Sequence, residues 1–313
     1  MILWSSFIGF VILALILDLG VFHRHPHVIR TREAALWSGV WVSCAMIFTG
    51  VIYLAFENEW IENPTDQTSR EAVVKYVTGY LIELSLSVDN IFVIALIFSS
   101  FRIPRKYQHE VLFYGVLGAI VFRAVMIVFG VALINRFDWI IYVFGGFLLL
   151  TAIRMLFSNN EEFDPKTSKT FRWINHLYPV THEVESNRFF IRQNGIKHAT
   201  PLLVALIIIE LTDIFFAVDS IPAILAITAD PFIIFSSNIL AVMGLRSMFF
   251  LISDMLDRFT YISYSLVAIL AFVGIKMILS HHVDLPEWLS LCVILIALLA
   301  GIIASSFLHK NEK

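Results

Sequence analysis

The chain has 313 residues, of which 58% are hydrophobic and 15% are charged, and its formal net charge is -3. This composition excludes an ordinary soluble domain and predicts a membrane protein. It contains no basic patch with interleaved aromatic residues, which argues against nucleic acid as a partner. The two cysteines, Cys44 and Cys292, lie far apart and form no C-x-x-C motif, so the sequence indicates neither a thiol-redox pair nor a zinc ribbon.

Apolar segments of the length that crosses a bilayer recur along the whole chain. A spanning helix needs about 20 mostly apolar residues, and its backbone polar groups must be paired within the segment. We therefore predict an all-α, polytopic bundle of about nine spans, the first of them a retained helix rather than a signal peptide. The predicted spans are 2–22, 35–56, 76–100, 111–134, 138–157, 200–228, 232–253, 260–280 and 288–308.

The basic residues fall mainly on one side of these nine spans. Of the 22 lysines and arginines, 16 lie on the side that contains the polar loop 158–199 and the C-terminal tail. Cytoplasmic loops of membrane proteins carry the excess of basic residues. This asymmetry predicts that the N-terminus lies outside and that the C-terminus and the 158–199 loop are cytoplasmic.

Two acidic clusters occur inside the apolar runs with the same spacing. The first contains Glu83, Asp89 and Asn90, and the second contains Asp213, Asp219 and Ser220. Carboxylates at membrane depth are costly and by default mark functional positions. The sequence therefore predicts that both clusters belong to one intramembrane site.

The similarity between the two segments extends past the acidic clusters, because the sequence of spans three to five matches that of spans six to eight. Arg123 corresponds to Arg246, each near the middle of its span. Because each unit has an odd number of spans, the second unit enters the membrane from the opposite side. We predict an inverted repeat of 71–157 and 200–280, with 2–56 and 288–308 outside it and all of 1–313 forming one membrane domain. Transporters built in this way bind substrate near the midplane, between the repeats.

The chemistry of the clusters indicates a hard cation. Carboxylate, amide and hydroxyl oxygens suit Mn²⁺, Mg²⁺ or Ca²⁺ better than Zn²⁺ or Cu⁺. Glu210 shares a helix face with Asp213 and is a candidate fifth carboxylate. Six residues span about 240° on a regular helix, so convergence of all four clustered acids requires a bend or an unwound turn. Pro222 offers a cause in the second cluster, because it leaves the Val218 carbonyl without its helical donor.

Two other interpretations of the acids remain open. They could pair only with Arg123 and Arg246 as a structural ion-pair core, since buried charges are usually paired. They could also carry protons, either alone or coupled to metal binding, because metal ligands must be deprotonated.

Several stretches resemble the TerC family, most closely its Alx-type bacterial members. They are GYLIE at 79–83 with SVDNIFV at 87–93, ELTD at 210–213 with FAVDSIPA at 216–223, YGVLG at 114–118, GLR at 244–246 and FVGIKM at 272–277. The resemblance implies a multi-pass protein of the bacterial inner membrane, similar to exporters of Mn²⁺. It carries the family's acidic positions over to Glu83, Asp89, Asp213 and Asp219.

The predicted function is export of Mn²⁺, or of a similar divalent cation, by a proton-coupled secondary transporter in which protons return through the same acids. Cation, protons and lipid are the expected partners, with no tightly bound cofactor and no enzyme activity. The sequence contains no Walker loop, dinucleotide fingerprint or nucleophile elbow, which argues against ATP-driven transport by this chain. The alternatives are a redox modulator or tellurite-resistance stress protein without transport of its own, and a scaffold acting through the 158–199 loop.

Overall fold

The computed structural model is a bundle of α helices, which confirms the predicted fold class. It describes residues 2–17, 31–61, 63, 66–137, 139–157, 180–181, 187–193, 196–253, 262–279 and 286–308. The elements are α1 (Ile2–Leu17), α2 (Thr31–Glu57), α3 (Ser69–Ser100), α4 (Arg105–Arg136), α5 (Ile140–Phe157), β1 (Phe190–Gln193), β2 (Ile196–Ala199), α6 (Pro201–Leu225), α7 (Pro231–Ile252), α8 (Ile262–Leu279) and α9 (Glu287–Leu308).

Each of the nine predicted spans coincides with one helix of the described residues. Seven of these helices are long and apolar enough to cross a membrane, whereas the apolar parts of α1 and α8, Leu3–Leu17 and Tyr264–Leu279, are shorter. Helix α3 begins seven residues before the predicted span, because Thr68 caps it. The Thr68 hydroxyl accepts from the Glu71 amide, and the Glu71 carboxylate accepts from the Thr68 amide.

The centre of the bundle is formed by α3, α4, α6 and α7. Helix α3 packs against α7, α4 packs against α6, and both pairs also contact each other. Helix α7 is the most enclosed of the long helices. In its most apolar stretch of 18 residues, 89% of the residues are buried, against 22% in the corresponding stretches of α4 and α5. Helix α2 covers α3 and α7, and α9 lies against α8 and α3. The polar side chains of α3, α6 and α7 are therefore shielded from lipid by other helices.

Helices α5 and α8 form a separate close pair beside this centre. A side chain at Gly145 would place its Cβ 2.7 Å from the Ile278 side chain and 3.0 Å from the Gly274 carbonyl oxygen. A Cβ at Gly274 would in turn lie 2.9 Å from the Gly145 carbonyl oxygen. Glycine at both positions lets the two backbones approach, as small residues do between membrane helices.

A β-hairpin occupies the end of the predicted 158–199 loop. Strands β1 and β2 are antiparallel, with Phe190 opposite Ala199. The Phe189 ring meets the Tyr114 ring of α4 edge to face, with centroids 5.3 Å apart. The Thr200 hydroxyl donates to the carbonyl oxygens of Arg188 and Phe189, which joins the hairpin to the start of α6. The sequence pattern did not predict this hairpin, since polar loop residues carry little periodicity.

Candidate intramembrane ion site

Arg123 of α4 lies at the centre of the bundle with none of its surface exposed. Its Nη2 donates to Asp213 Oδ1 at 2.9 Å, and its Nε donates to Asp213 Oδ2 at 3.2 Å. Its Nη1 forms an ion pair with Glu83 of α3. The forked guanidinium therefore holds a carboxylate from each of the two predicted clusters, in the bidentate manner typical of arginine. A buried charge of this kind needs such partners.

Two asparagine side chains complete the network around these charges. Asn238 of α7 donates through Nδ2 to Glu83 Oε2 at 2.8 Å and accepts at Oδ1 from Arg123 Nη1 at 3.3 Å. Asn90 of α3 donates through Nδ2 to Asp213 Oδ1 at 3.3 Å. We call these five residues, Glu83, Asn90, Arg123, Asp213 and Asn238, the Arg123 cluster. All five are buried.

A small cavity adjoins the cluster on the side of Asp213. Its volume is about 20 Å³, close to the space that one water molecule or one small ion needs. Its polar lining consists of Asn90, Thr212, Asp213 and Arg246. The Oδ1 atom of Asn90 is buried and accepts no hydrogen bond from the described part of the chain. The remaining lining is apolar and comes from α3, α4, α6 and α7.

Asp219, the second acid of the α6 cluster, lies apart from the Arg123 cluster and faces α5. Asp219 is half-buried and accepts a hydrogen bond at Oδ1 from Thr151 Oγ1 of α5, at 3.0 Å. Helix α6 stays helical through Pro222 to Leu225, and α3 is also uninterrupted. The six-residue spacing therefore directs Asp213 and Asp219 toward different neighbours, as the regular helical geometry predicts. Asp89 lies in α3, and its side chain is outside the described residues.

Two further residues of α6, Ser220 and Glu210, lie beside α3 and α4, respectively. Ser220 is buried and lies beside Glu83. The Glu210 carboxylate lies against Gly118 of α4, in the space that a Cβ at Gly118 would fill. Glu210 Oε2 is buried and has no hydrogen-bond partner in the described ranges. Glycine at position 118 is therefore what allows Glu210 to approach α4.

The structure brings together part of the predicted ligand set. Glu83 and Asp213 converge on Arg123, and Asn90 donates to Asp213. Ser220 lies beside Glu83, but its hydroxyl has no hydrogen-bond partner among the described residues. Among the side chains that are described, no group of three or more His, Cys, Asp or Glu residues is placed to hold a metal ion. The site that combines both acids of each cluster remains a prediction, since the Asp89 side chain is not among those described and Asp219 faces α5.

Sequence reasoning missed two residues that contact the acids, Asn238 and Thr151. A signal for Asn238 exists, because Ser236, Ser237 and Asn238 form a polar triplet between two apolar runs of the span. All three are fully buried. Thr151 has no such signal, because a threonine in a membrane helix commonly bonds its own backbone.

Comparison with known proteins agrees with this architecture. Residues 68–313 match the family described as "Integral membrane protein TerC family". An uncharacterized membrane protein of Myxococcus xanthus is 48% identical over 97% of this chain and 91% of its own length. A protein of Escherichia coli (strain K12), named "Putative membrane-bound redox modulator Alx", is 40% identical over 100% of this chain and 97% of its own.

A further relative is a membrane protein of Rickettsia bellii, 42% identical over 98% of both chains. No solved structure matches the chain. The family match covers more than half of the residues, and the relatives align along nearly their full length. The chain therefore belongs to the TerC family of integral membrane proteins.

Proposed function

We propose that this protein is a secondary transporter that exports Mn²⁺, or a similar hard divalent cation, from the cytoplasm across the bacterial inner membrane in exchange for protons. The observation that carries the proposal is the convergence of Glu83 and Asp213, from two different helices, on one cationic group in the bundle centre. The full proposed ligand set also includes Asp89, Asn90, Asp219, Ser220 and Glu210.

The position of the two acids along their helices supports a site at membrane depth. Counted from the start of its predicted span, at 76 and at 200, Glu83 lies about 10 Å along α3 and Asp213 about 20 Å along α6, at about 1.5 Å per residue. The hydrocarbon layer is about 30 Å thick, so both acids lie well inside it. Charges at this depth are characteristic of ion and proton pathways.

The packing of the central helices supports the proposed inverted repeat. An axis that exchanges α3 with α6, α4 with α7 and α5 with α8 would convert the α3–α7 pair into the α4–α6 pair, and both pairs exist. The same exchange would convert the Asn90–Asp213 contact into the Ser220–Glu83 contact. Alternating access in inverted-repeat transporters is a rocking of one repeat against the other around such a site.

The choice of ion has two supports of different kinds. The side chains around the cluster offer carboxylate, amide and hydroxyl oxygens, the ligands that Mn²⁺, Mg²⁺ and Ca²⁺ prefer. The preference for Mn²⁺ and the outward direction of transport rest on the resemblance to the TerC family, whose members are similar to exporters of Mn²⁺. The N-terminus outside and the C-terminus in the cytoplasm complete the proposed orientation.

Metal content and reconstituted transport test this function together. Cells that lack the protein should accumulate Mn²⁺, the wild-type gene should restore the normal content, and Asp89→Asn should fail to restore it. Asp66→Asn is the matched control, because Asp66 is an exposed carboxylate in the loop before α3. Proteoliposomes with an imposed pH gradient and separate Mn²⁺, Mg²⁺ and Ca²⁺ arms then identify the ion. Full export by Asp89→Asn would refute the assigned site.

The name of the E. coli relative suggests a second function, modulation of redox state without transport. The thiols available for this are the free Cys44 of α2 and the free Cys292 of α9. A Cys44→Ser, Cys292→Ser double variant that retains the phenotype of the wild type would exclude thiol chemistry. Loss of the phenotype with Mn²⁺ content unchanged would favour the redox function over export.

A further inference from the structure

Every carboxylate oxygen in the Arg123 cluster already accepts a hydrogen bond. Glu83 Oε1 and Oε2 face Arg123 and Asn238, and both oxygens of Asp213 face Arg123. Asn90 adds a second donor to Asp213 Oδ1. Each carboxylate has about four lone-pair positions, and five of the about eight on Glu83 and Asp213 already face N–H groups. A metal ion that binds both carboxylates through several oxygens must therefore compete with these donors.

We propose that Arg123 is a tethered internal cation, which occupies the position of the transported ion in the empty protein and leaves it when the ion binds. This inference rests on the proposed function and adds to it the step that connects the empty and loaded states. Arg123 is then a positioning residue that competes with the substrate rather than a ligand of it.

Charge opposes simultaneous occupancy by the guanidinium and the ion. An ion bound between Glu83 and Asp213 would lie beside Arg123 in a medium of low dielectric constant, where like charges repel strongly. The adjoining cavity of about 20 Å³ has room for one small ion, but Arg246 lines it together with Asp213, so an ion there would lie near a second guanidinium.

The two asparagines can follow the exchange without moving their backbones. Each directs Nδ2 at a carboxylate, and rotation about the terminal torsion would direct Oδ1 there instead. For Asn90 this rotation breaks no bond at Oδ1, which accepts none from the described residues. If Asn238 instead keeps its present orientation, its Oδ1, which already accepts from Arg123 Nη1, gives the departing guanidinium a partner on α7.

An internal cation that competes with the transported ion would explain how the empty transporter returns to its starting conformation. Two unpaired carboxylates in the bundle centre would oppose any rearrangement that moves them without a bound ion. With Arg123 between them, Glu83 and Asp213 keep their charges paired while the repeats move. The protons of the proposed exchange are then carried by the other acids of the proposed ligand set. Removing the guanidinium should therefore strengthen ion binding and block the return step while leaving the loaded step intact.

The test compares binding, exchange and net transport in Arg123→Gln with the wild type, using Mn²⁺ itself as the probe. We expect the apparent Mn²⁺ dissociation constant in detergent to fall by roughly tenfold or more, the range of ordinary coupling between two sites. Exchange of Mn²⁺ for Mn²⁺ across proteoliposomes should persist, whereas net efflux into Mn²⁺-free medium should be lost. Arg136→Gln, at the exposed end of the same helix, is the control and should match the wild type.

The outcomes separate this inference from the proposed function. If wild-type protein neither binds nor exchanges Mn²⁺, Mg²⁺ or Ca²⁺, the transport function fails. If the wild type exchanges while Arg123→Gln binds no more tightly, or loses exchange and net efflux equally, Arg123 has only a structural role and the inference is overturned. If Arg123→Gln does not fold, Arg123→Lys decides: tighter Mn²⁺ binding supports competition, because lysine cannot form the fork, and unchanged binding overturns it.

Discussion

Asp213 and Asp219 lie on the same helix, six residues apart, yet they occupy different environments. Asp213 is 8% exposed and receives two N–H donors from Arg123 of α4. Asp219 is half-buried and receives one hydroxyl donor from Thr151 of α5. About one and two-thirds helical turns therefore separate a carboxylate that pairs with a charged guanidinium from one that accepts from a neutral hydroxyl.

This difference shows that a repeated motif need not produce a repeated environment. Both aspartates belong to one cluster in the sequence, and the cluster as a whole suggested a single site. The neighbouring helices divide it: α4 offers an arginine to one carboxylate, and α5 offers a threonine to the other. We infer that Asp213 contributes more to the stability of the bundle, while Asp219 is freer to bind and release a partner.

The largest effect on stability is expected from Asp213→Asn. Losing the carboxylate leaves the buried Arg123 with Glu83 as its remaining acid, and breaking a buried pair costs about 3–5 kcal/mol. The free energy of unfolding, measured in mixed micelles by denaturing-detergent titration, should fall by that amount. Because the two residues act on each other, Arg123→Gln combined with Asp213→Asn should cost less than the sum of the single changes. Strict additivity would show that the pair is not energetically coupled.

A medium effect is expected from Gly145→Ala, which tests how closely α5, the helix that carries Thr151, packs against α8. The added Cβ would lie 2.7 Å from the Ile278 side chain and 3.0 Å from the Gly274 carbonyl oxygen, which belongs to the backbone and cannot turn aside, and overpacking of this kind costs about 1–3 kcal/mol. Thermal unfolding in detergent measures the loss.

Gly146→Ala is the matched control for this change. It lies in α5, and nothing is within 4 Å of the Cβ that alanine would add. Its stability should stay within about 1 kcal/mol of the wild type, the range of helix propensity alone. Equal behaviour of the two variants would contradict the close approach of α5 and α8 at Gly145.

The smallest effect on stability is expected from Asp219→Asn. The amide oxygen can still accept from Thr151, so the free energy of unfolding should change by no more than about 0.5–1.5 kcal/mol, the net value of one hydrogen bond. If Asp219 is a ligand during transport, Mn²⁺ efflux should nevertheless fall sharply. A stable variant with normal efflux would remove Asp219 from the proposed ligand set and leave Glu210 and Asp213 as the acids of α6 in that set.

Much of the fold was predictable because lipid imposes a simple rule. Backbone groups in the bilayer must be paired within each segment, so a run of about 20 apolar residues predicts a helix with few alternatives. The helix ends were less predictable, since α3 and α4 begin in polar residues before the predicted apolar spans. The β-hairpin after α5 was not predicted, because its strands are short and lie outside the membrane.

For the candidate site, the sequence by itself identified the candidate acids: a carboxylate in lipid is costly, so the apolar runs around Glu83 and Asp213 are enough to single these residues out. Helical periodicity also separated each acid from the one six residues later. Only the tertiary structure decided that Arg123 joins Glu83 to Asp213, that Asn238 completes the network and that Asp219 turns to Thr151. The reason is physical: periodicity places a side chain on a face of its own helix, whereas packing between distant segments determines which helix that face meets.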